Sequence, residues 1–193
     1  MRDQAQKTAI LEAAFEKFRR FGIRRVTMDE IARDLRISKK TLYQHFPDKE
    51  TLVRACTDRV SGELVPAAKK ALASRGTVVE RMLGSFGVFS SLPRLISAEF
   101  VADLKSDYPH LWNEIDGRRH EILARFEKLI EQGVASGEIR PGIHPKAAMR
   151  MMFAVVENVV VPDVLALGEF TPSEAVSTLV TIFSKGMFAK VPR

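Results

Sequence analysis

Two helix-start signals stand only eleven residues apart in this chain, and they confine the segment between Thr27 and Pro47 to short helices. Thr27 is followed three positions on by Glu30, the pattern in which a hydroxyl and a carboxylate satisfy each other's backbone N–H groups at a helix start. Ser38 is the second signal, and Pro47 closes the segment after it, because proline cannot continue the hydrogen-bond ladder. A helix between Thr27 and Ser38 is limited to about two turns once a connection is allowed for. Upstream, residues of about 4–21 set Leu11, Ala14, Phe15, Phe18 and Phe21 at three- and four-residue intervals, one stripe of an amphipathic helix. Gly22 closes it behind Lys17, Arg19 and Arg20, cations suited to the negative helix end. Asp48 starts a fourth helix at Lys49. Three helices in about fifty residues, the last two joined by a very short turn, describe a helix–turn–helix.

The third helix divides into two faces. Leu42 and Phe46 lie one turn apart and form its inner side. Lys40 and Gln44, also one turn apart, point nearly opposite, with Thr41 and Tyr43 flanking. The outer face thus carries ammonium, amide and hydroxyl groups, which contact base edges and phosphates. Lys40 has the chemistry to donate to guanine, and Gln44 to pair with adenine. Thr41 suits a thymine methyl or a phosphate. Tyr43 suits a phosphate oxygen or the edge of the domain core. Charge is distributed accordingly: residues 1–54 hold thirteen Lys and Arg against eight Asp and Glu, while the remainder holds seventeen against sixteen. The basic excess sits where an electrostatic footprint for nucleic acid belongs.

The stretch from Thr27 to Leu52, TMDEIARDLRISKKTLYQHFPDKETL, closely resembles the DNA-binding signature of the TetR family of regulators, and Ala14, Phe18 and Gly22 resemble its first helix. The resemblance implies an all-α fold: an N-terminal three-helix helix–turn–helix domain over 1–48 and a helical ligand-binding and dimerisation domain over 49–193. It further implies DNA contacts by Lys39, Lys40, Thr41, Tyr43, Gln44 and His45, with Thr27 and Lys49 as phosphate clamps. His45 is left as a phosphate contact or a plain surface imidazole. Arg36 departs from the pattern, since glycine is usual in the turn; a positive φ there costs on the order of 1 kcal/mol. Lys40 departs too, adding charge and reach where relatives have a small residue.

Beyond the signature the fourth helix is expected from Lys49 to about Ser74, with Gly62 and Pro66 inside it as a kink, or else broken into two helices at Pro66. Later helices are expected at about 77–90, 93–106, 108–136, 145–161 and 172–188. Their apolar stripes are core by default. The resemblance implies a ligand cavity among the middle helices, for which the candidates are Met82, Phe86, Phe89, Phe100, Trp112, His120, Met151, Met152 and Asn158. Lined this way, it would take a small apolar molecule. The last two long helices carry Met152, Val155, Val156 and Val159, then Val176, Leu179, Val180, Phe183 and Met187. Such apolar helices need a partner surface, and the family pairs them in a homodimer.

Other classes are disfavoured. Cys56 is the only cysteine, which suits a reducing cytoplasm and excludes an internal disulfide framework. No secretory leader or membrane span is read, because early charges interrupt the N-terminus and the run Val159–Val161 stops at Pro162. Four scattered histidines offer neither a nucleophile–base set nor a metal site, so no enzyme, metal or cofactor is expected. The expected function is a homodimeric repressor on a palindromic operator of double-stranded DNA, released by a small apolar effector. The alternative is a DNA-binding regulator without such a ligand, or an activator acting through a protein partner.

Overall fold

A computed structural model describes residues 2–89, 97–159 and 168–189. Among these the chain forms nine helices and no strand. They are α1 (Arg2–Phe21), α2 (Met28–Asp34), α3 (Lys39–His45), α4 (Lys49–Leu72) and α5 (Val78–Phe89). Then come α6 (Ala98–Asp107), α7 (Pro109–Ser136), α8 (Pro145–Val159) and α9 (Pro172–Met187). The all-α expectation holds. The stretches expected as helix over 93–96 and 160–161 fall outside the described residues.

Packing sorts the chain into two compact units, one of Met1–Gly62 with Leu95–Ile115, the other of Glu63–Arg94 with Asp116–Arg193. The grouping differs from the sequence division at 48/49, because α6 and the start of α7 join the N-terminal helices. The boundary also passes through α4 at Gly62, four residues before Pro66. Helix α4 nonetheless runs unbroken from Lys49 to Leu72 with Pro66 inside it, so the two-helix alternative is set aside.

In the first unit α1 buries Ile10, Ala14, Phe15 and Phe18, joined by Ile31 and Ala32 of α2, Leu42 of α3 and Leu52 of α4. Phe21, expected in the stripe, is exposed instead, and Ile10 takes a core place. Helix α6 packs on α1 and buries Phe100 and Leu104. Its carboxylates grip the α1–α2 turn. Asp103 Oδ2 accepts from the Arg24 backbone N–H at 2.8 Å, and Asp107 accepts from the Arg24 guanidinium at 2.6 and 3.1 Å. Gly22 suits that turn because its φ is +79°, and a Cβ there would also stand 2.7 Å from the Asp103 carboxylate, which would have to move.

In the second unit Phe126, Ile130, Ile139 and Phe188 are fully buried, and Phe86 stacks on Phe126 with ring centroids 5.4 Å apart. Gly133 lets α7 approach its neighbours: a Cβ there would lie 2.7 Å from Ile139 and 2.8 Å from Val78. A bridge between Ile139 and Phe188 and the Arg140 guanidinium on the Phe188 carbonyl (3.1 Å) tie the end of α9 to the loop after α7. Helices α8 and α9 pack on each other.

Candidate nucleic-acid interface

Local chemistry builds the reading head from its caps inward. Thr27 accepts from the Glu30 N–H while the Glu30 carboxylate accepts from the Thr27 N–H at 2.8 Å, fixing the start of α2. The end of α2 closes through Ile37 N–H to the Ala32 carbonyl and Arg36 N–H to the Arg33 carbonyl, both 3.0 Å. Those two bonds are a Schellman closure, which needs a left-handed residue between helix and exit. Arg36 supplies it at φ +54°, as the departure from glycine anticipated. Ser38 then caps α3 through the Thr41 N–H at 3.0 Å. Together these set the direction of α3, and Leu42 and Phe46 lock it to the core.

The candidate contacts separate into distinct environments. Lys40, Tyr43 and Gln44 are exposed, and among the described residues they make no side-chain hydrogen bond or ion pair. Thr41 Oγ1 is 2.8 Å from Ser38 Oγ, so its hydroxyl is shared with the cap. Lys39 is exposed but held by Asp29, Nζ to Oδ2 2.6 Å. Thr27 donates its hydroxyl to Glu30 at 3.0 Å. Lys49 is half-buried; desolvation pushes its pKa down, while Asp103, Asp107 and Glu30 pull the other way. His45 differs from both readings of the sequence. Its side chain is 8% exposed, and Nε2 lies 3.2 Å from Gln6 Oε1, so the imidazole ties α1 to α3 instead of facing outward. The partners Asp29 and Gln6 carry no mark in the sequence, since both arise only when helices separated along the chain are packed together.

The nine pocket candidates are not brought together. Met82, Phe86 and Met152 are buried in the core of the second unit. Phe100 and Trp112 group with the first unit, where Lys105 lies over the Trp112 ring at 4.5 Å. His120 is exposed and donates from Nδ1 to the Asp116 carbonyl at 2.8 Å, and Met151 is exposed on α8. Phe89 and Asn158 lie outside the described side chains. Among the described residues no group of three or more His, Cys, Asp or Glu is set to hold a metal ion. Nor is any helix among them long and apolar enough to cross a membrane.

Residues 10–56, the helix–turn–helix and the start of α4, match the model of bacterial regulatory proteins of the tetR family. Its helix–turn–helix is of the tetR type. The HTH-type transcriptional regulator RutR of Escherichia coli (strain K12) is 28% identical over 157 residues, covering 80% of this chain and 73% of that protein. The fold is also that of a TetR transcriptional regulator from Chloroflexus aurantiacus J-10-FL (TM-score 0.76, 22% identity, 97% and 99% of the two chains). The same holds for the transcriptional regulator FadR of Bacillus subtilis, solved in complex with stearoyl-CoA (TM-score 0.68, 18% identity, 93% and 98%). A helix–turn–helix of this type acts by binding DNA, and the exposed face of α3 is the surface such an activity needs.

The clamp between Arg24 and Asp107 has a pH signature. The Arg24 guanidinium, with the Ser106 hydroxyl, holds the Asp107 carboxyl down to about 2 from an ordinary 3.8. A carboxylate depressed in the folded state stabilises above its unfolded pKa and loses that contribution as pH falls through the folded value. Stability of this regulator should therefore drop between about pH 4 and pH 2 in part through this pair. Thermal midpoints of the parent and Asp107→Asn should differ at neutral pH and converge at pH 2. A constant difference across that window would remove the clamp from the acid response.

Proposed function

We propose that the protein is a homodimeric repressor that reads a palindromic operator with Lys40 and Gln44 and leaves it on binding a small apolar effector. The observation that carries the DNA half is the outer face of α3: Lys40, Tyr43 and Gln44 are exposed while Leu42 and Phe46 anchor the same helix in the core. Lys39, Thr27 and Lys49 fit phosphate contacts, which set register without reading sequence. Residues 1–48 would be the reading head, and the helices from Lys49 onward the sensing and dimerising part. The exposed apolar side chains of Met151, Val155 and Ile182 on α8 and α9 support pairing with a second copy. Two heads related by two-fold symmetry fit half-sites one helical turn apart. That FadR is solved with stearoyl-CoA supports an effector with an apolar moiety.

The test is a selection of bound duplexes from a random-sequence library, repeated with Lys40→Ala and Gln44→Ala. Each should relax preference at one symmetric pair of positions, by about 1–3 kcal/mol per lost base contact. Variants that keep the parent's preference and only bind more weakly would reassign both side chains to phosphate.

One observation favours the second reading, regulation without a small ligand. Met82, Phe86 and Met152, three of the pocket candidates, are packed in the core of the second unit. A fully packed body leaves an effector no preformed site.

A further inference from the structure

Two of the groups assigned to phosphate, Lys39 and Thr27, are engaged within the chain, whereas the two assigned to bases are not. Lys40 and Gln44 extend into solvent, without a side-chain hydrogen bond or ion pair among the described residues. Lys39 is joined to Asp29 at 2.6 Å, and Thr27 is joined to Glu30 in both directions. Asp29 stands in the first turn of α2, and Lys39 opens α3, so the pair spans the helix–turn–helix on its outer side. Both side chains are more than half exposed, 67% for Lys39 and 56% for Asp29. A pair so wet is weak and exchanges readily. The Glu30 carboxylate caps α2, whereas Asp29 makes no cap contact and its one ion pair among the described residues is with Lys39.

We propose that Asp29 is an intramolecular counter-ion that competes with DNA phosphate for Lys39 and thereby limits the sequence-independent part of binding. The proposal rests on the DNA-binding reading above and deepens it. A phosphate that takes Lys39 must draw the ammonium away from Asp29, and it then sits close to a carboxylate of like charge. Both effects oppose every phosphate contact at this point, whatever the sequence beneath. Base contacts by Lys40 and Gln44 are untouched, so the device lowers the floor of non-specific affinity and leaves base readout to decide occupancy. A lysine already neutralised by its own chain also releases fewer counter-ions from DNA, so the salt dependence is shallower than the count of basic residues suggests.

The experiment measures binding of a mixed-sequence duplex by the full-length protein across a range of salt. Asp29→Asn should bind about 3–10-fold more tightly at low salt, with a log–log salt slope steeper by up to about 0.9 per head. Asp34→Asn is the matched control: it removes the same charge from the same helix, but its partner is Lys17, 2.7 Å away. That variant should change affinity less. In a Lys39→Ala background, Asp29→Asn should lose most of its gain. An equal gain from Asp34→Asn, or a gain that survives without Lys39, would reduce Asp29 to one of many surface charges and overturn the proposal. An unchanged affinity of Asp29→Asn beside a tightly binding parent would overturn it too. A parent that binds no duplex at all would instead sink the DNA-binding reading itself.

Discussion

Ile182→Glu should leave a folded monomer that binds a palindromic site about 10²–10⁴-fold more weakly than the parent, the loss expected when two linked heads become two separate ones. Ile182 is 62% exposed on α9 and Met151 is 63% exposed on α8, with Val155 one turn beyond Met151. Large aliphatic side chains open to water on two neighbouring helices suit the paired surface proposed above. In a two-fold dimer each substitution occurs twice and near its own copy, so a glutamate there adds desolvation and like-charge repulsion together. Its position on the surface spares the core, so folding should survive. Sedimentation at micromolar concentration gives the oligomeric state, and titration of a selected duplex gives the affinity. A glutamate variant that remains dimeric with its affinity intact would move the interface elsewhere. Ile182→Val, which keeps an apolar surface, should behave as the parent does.

The elements of this fold were legible because their signals are local. Thr27 with Glu30, Ser38 with Thr41, and Gly22 each act within one turn of chain, and each does in the structure what the sequence implied. Even the strained turn at Arg36 could be located, though through the family resemblance, which puts glycine at that place, and the structure gives it φ +54°. Helix limits in the body follow equally well, as with α7, expected over 108–136 and found at Pro109–Ser136. What spacing does not encode is which of two adjacent apolar positions meets the core. On α1 the stripe was right, yet Ile10 is buried and Phe21 is exposed. On α8 and α9 the shift has consequences. Met152, Val176, Leu179 and Met187, read as a partner surface, are core residues; Val155 of the same reading is exposed, and with it Met151 and Ile182, which the reading left out. The partnerships of polar groups are less legible still. Lys39 with Asp29, His45 with Gln6, and Arg24 with Asp107 span ten, thirty-nine and eighty-three residues. Such pairs are decided by tertiary packing, and no period or cap announces them.

The division between core and pocket can be settled at Phe86. The side chain is 2% exposed, stacked on Phe126 within a cluster that includes Met82, Ile122 and Met152. A phenylalanine that lines an open cavity loses few contacts when truncated, because one side of the ring had no neighbours to lose. One packed on all sides leaves a void, and Phe→Ala in such a place costs about 3–5 kcal/mol. For a chain of this length that corresponds to a fall in thermal midpoint of roughly 6–20 °C. Phe86→Ala is expected to show the full packed-core penalty, and Phe126→Ala a similar one, with the double variant costing less than the sum because the two rings share one contact. Midpoints measured for the three variants test this directly. A loss under about 1 kcal/mol at Phe86 would mean that the ring already borders empty space, which is the lining role that the family resemblance implies. The packed outcome leaves an effector two routes: displacement of these side chains, or a site built elsewhere in the body. Small apolar probes added to Phe86→Ala distinguish them, since a void of that shape should take up a benzene-sized molecule and recover part of the lost midpoint. A rise in the parent protein's own midpoint with the same probe would place the effector among the residues that now pack around Phe86.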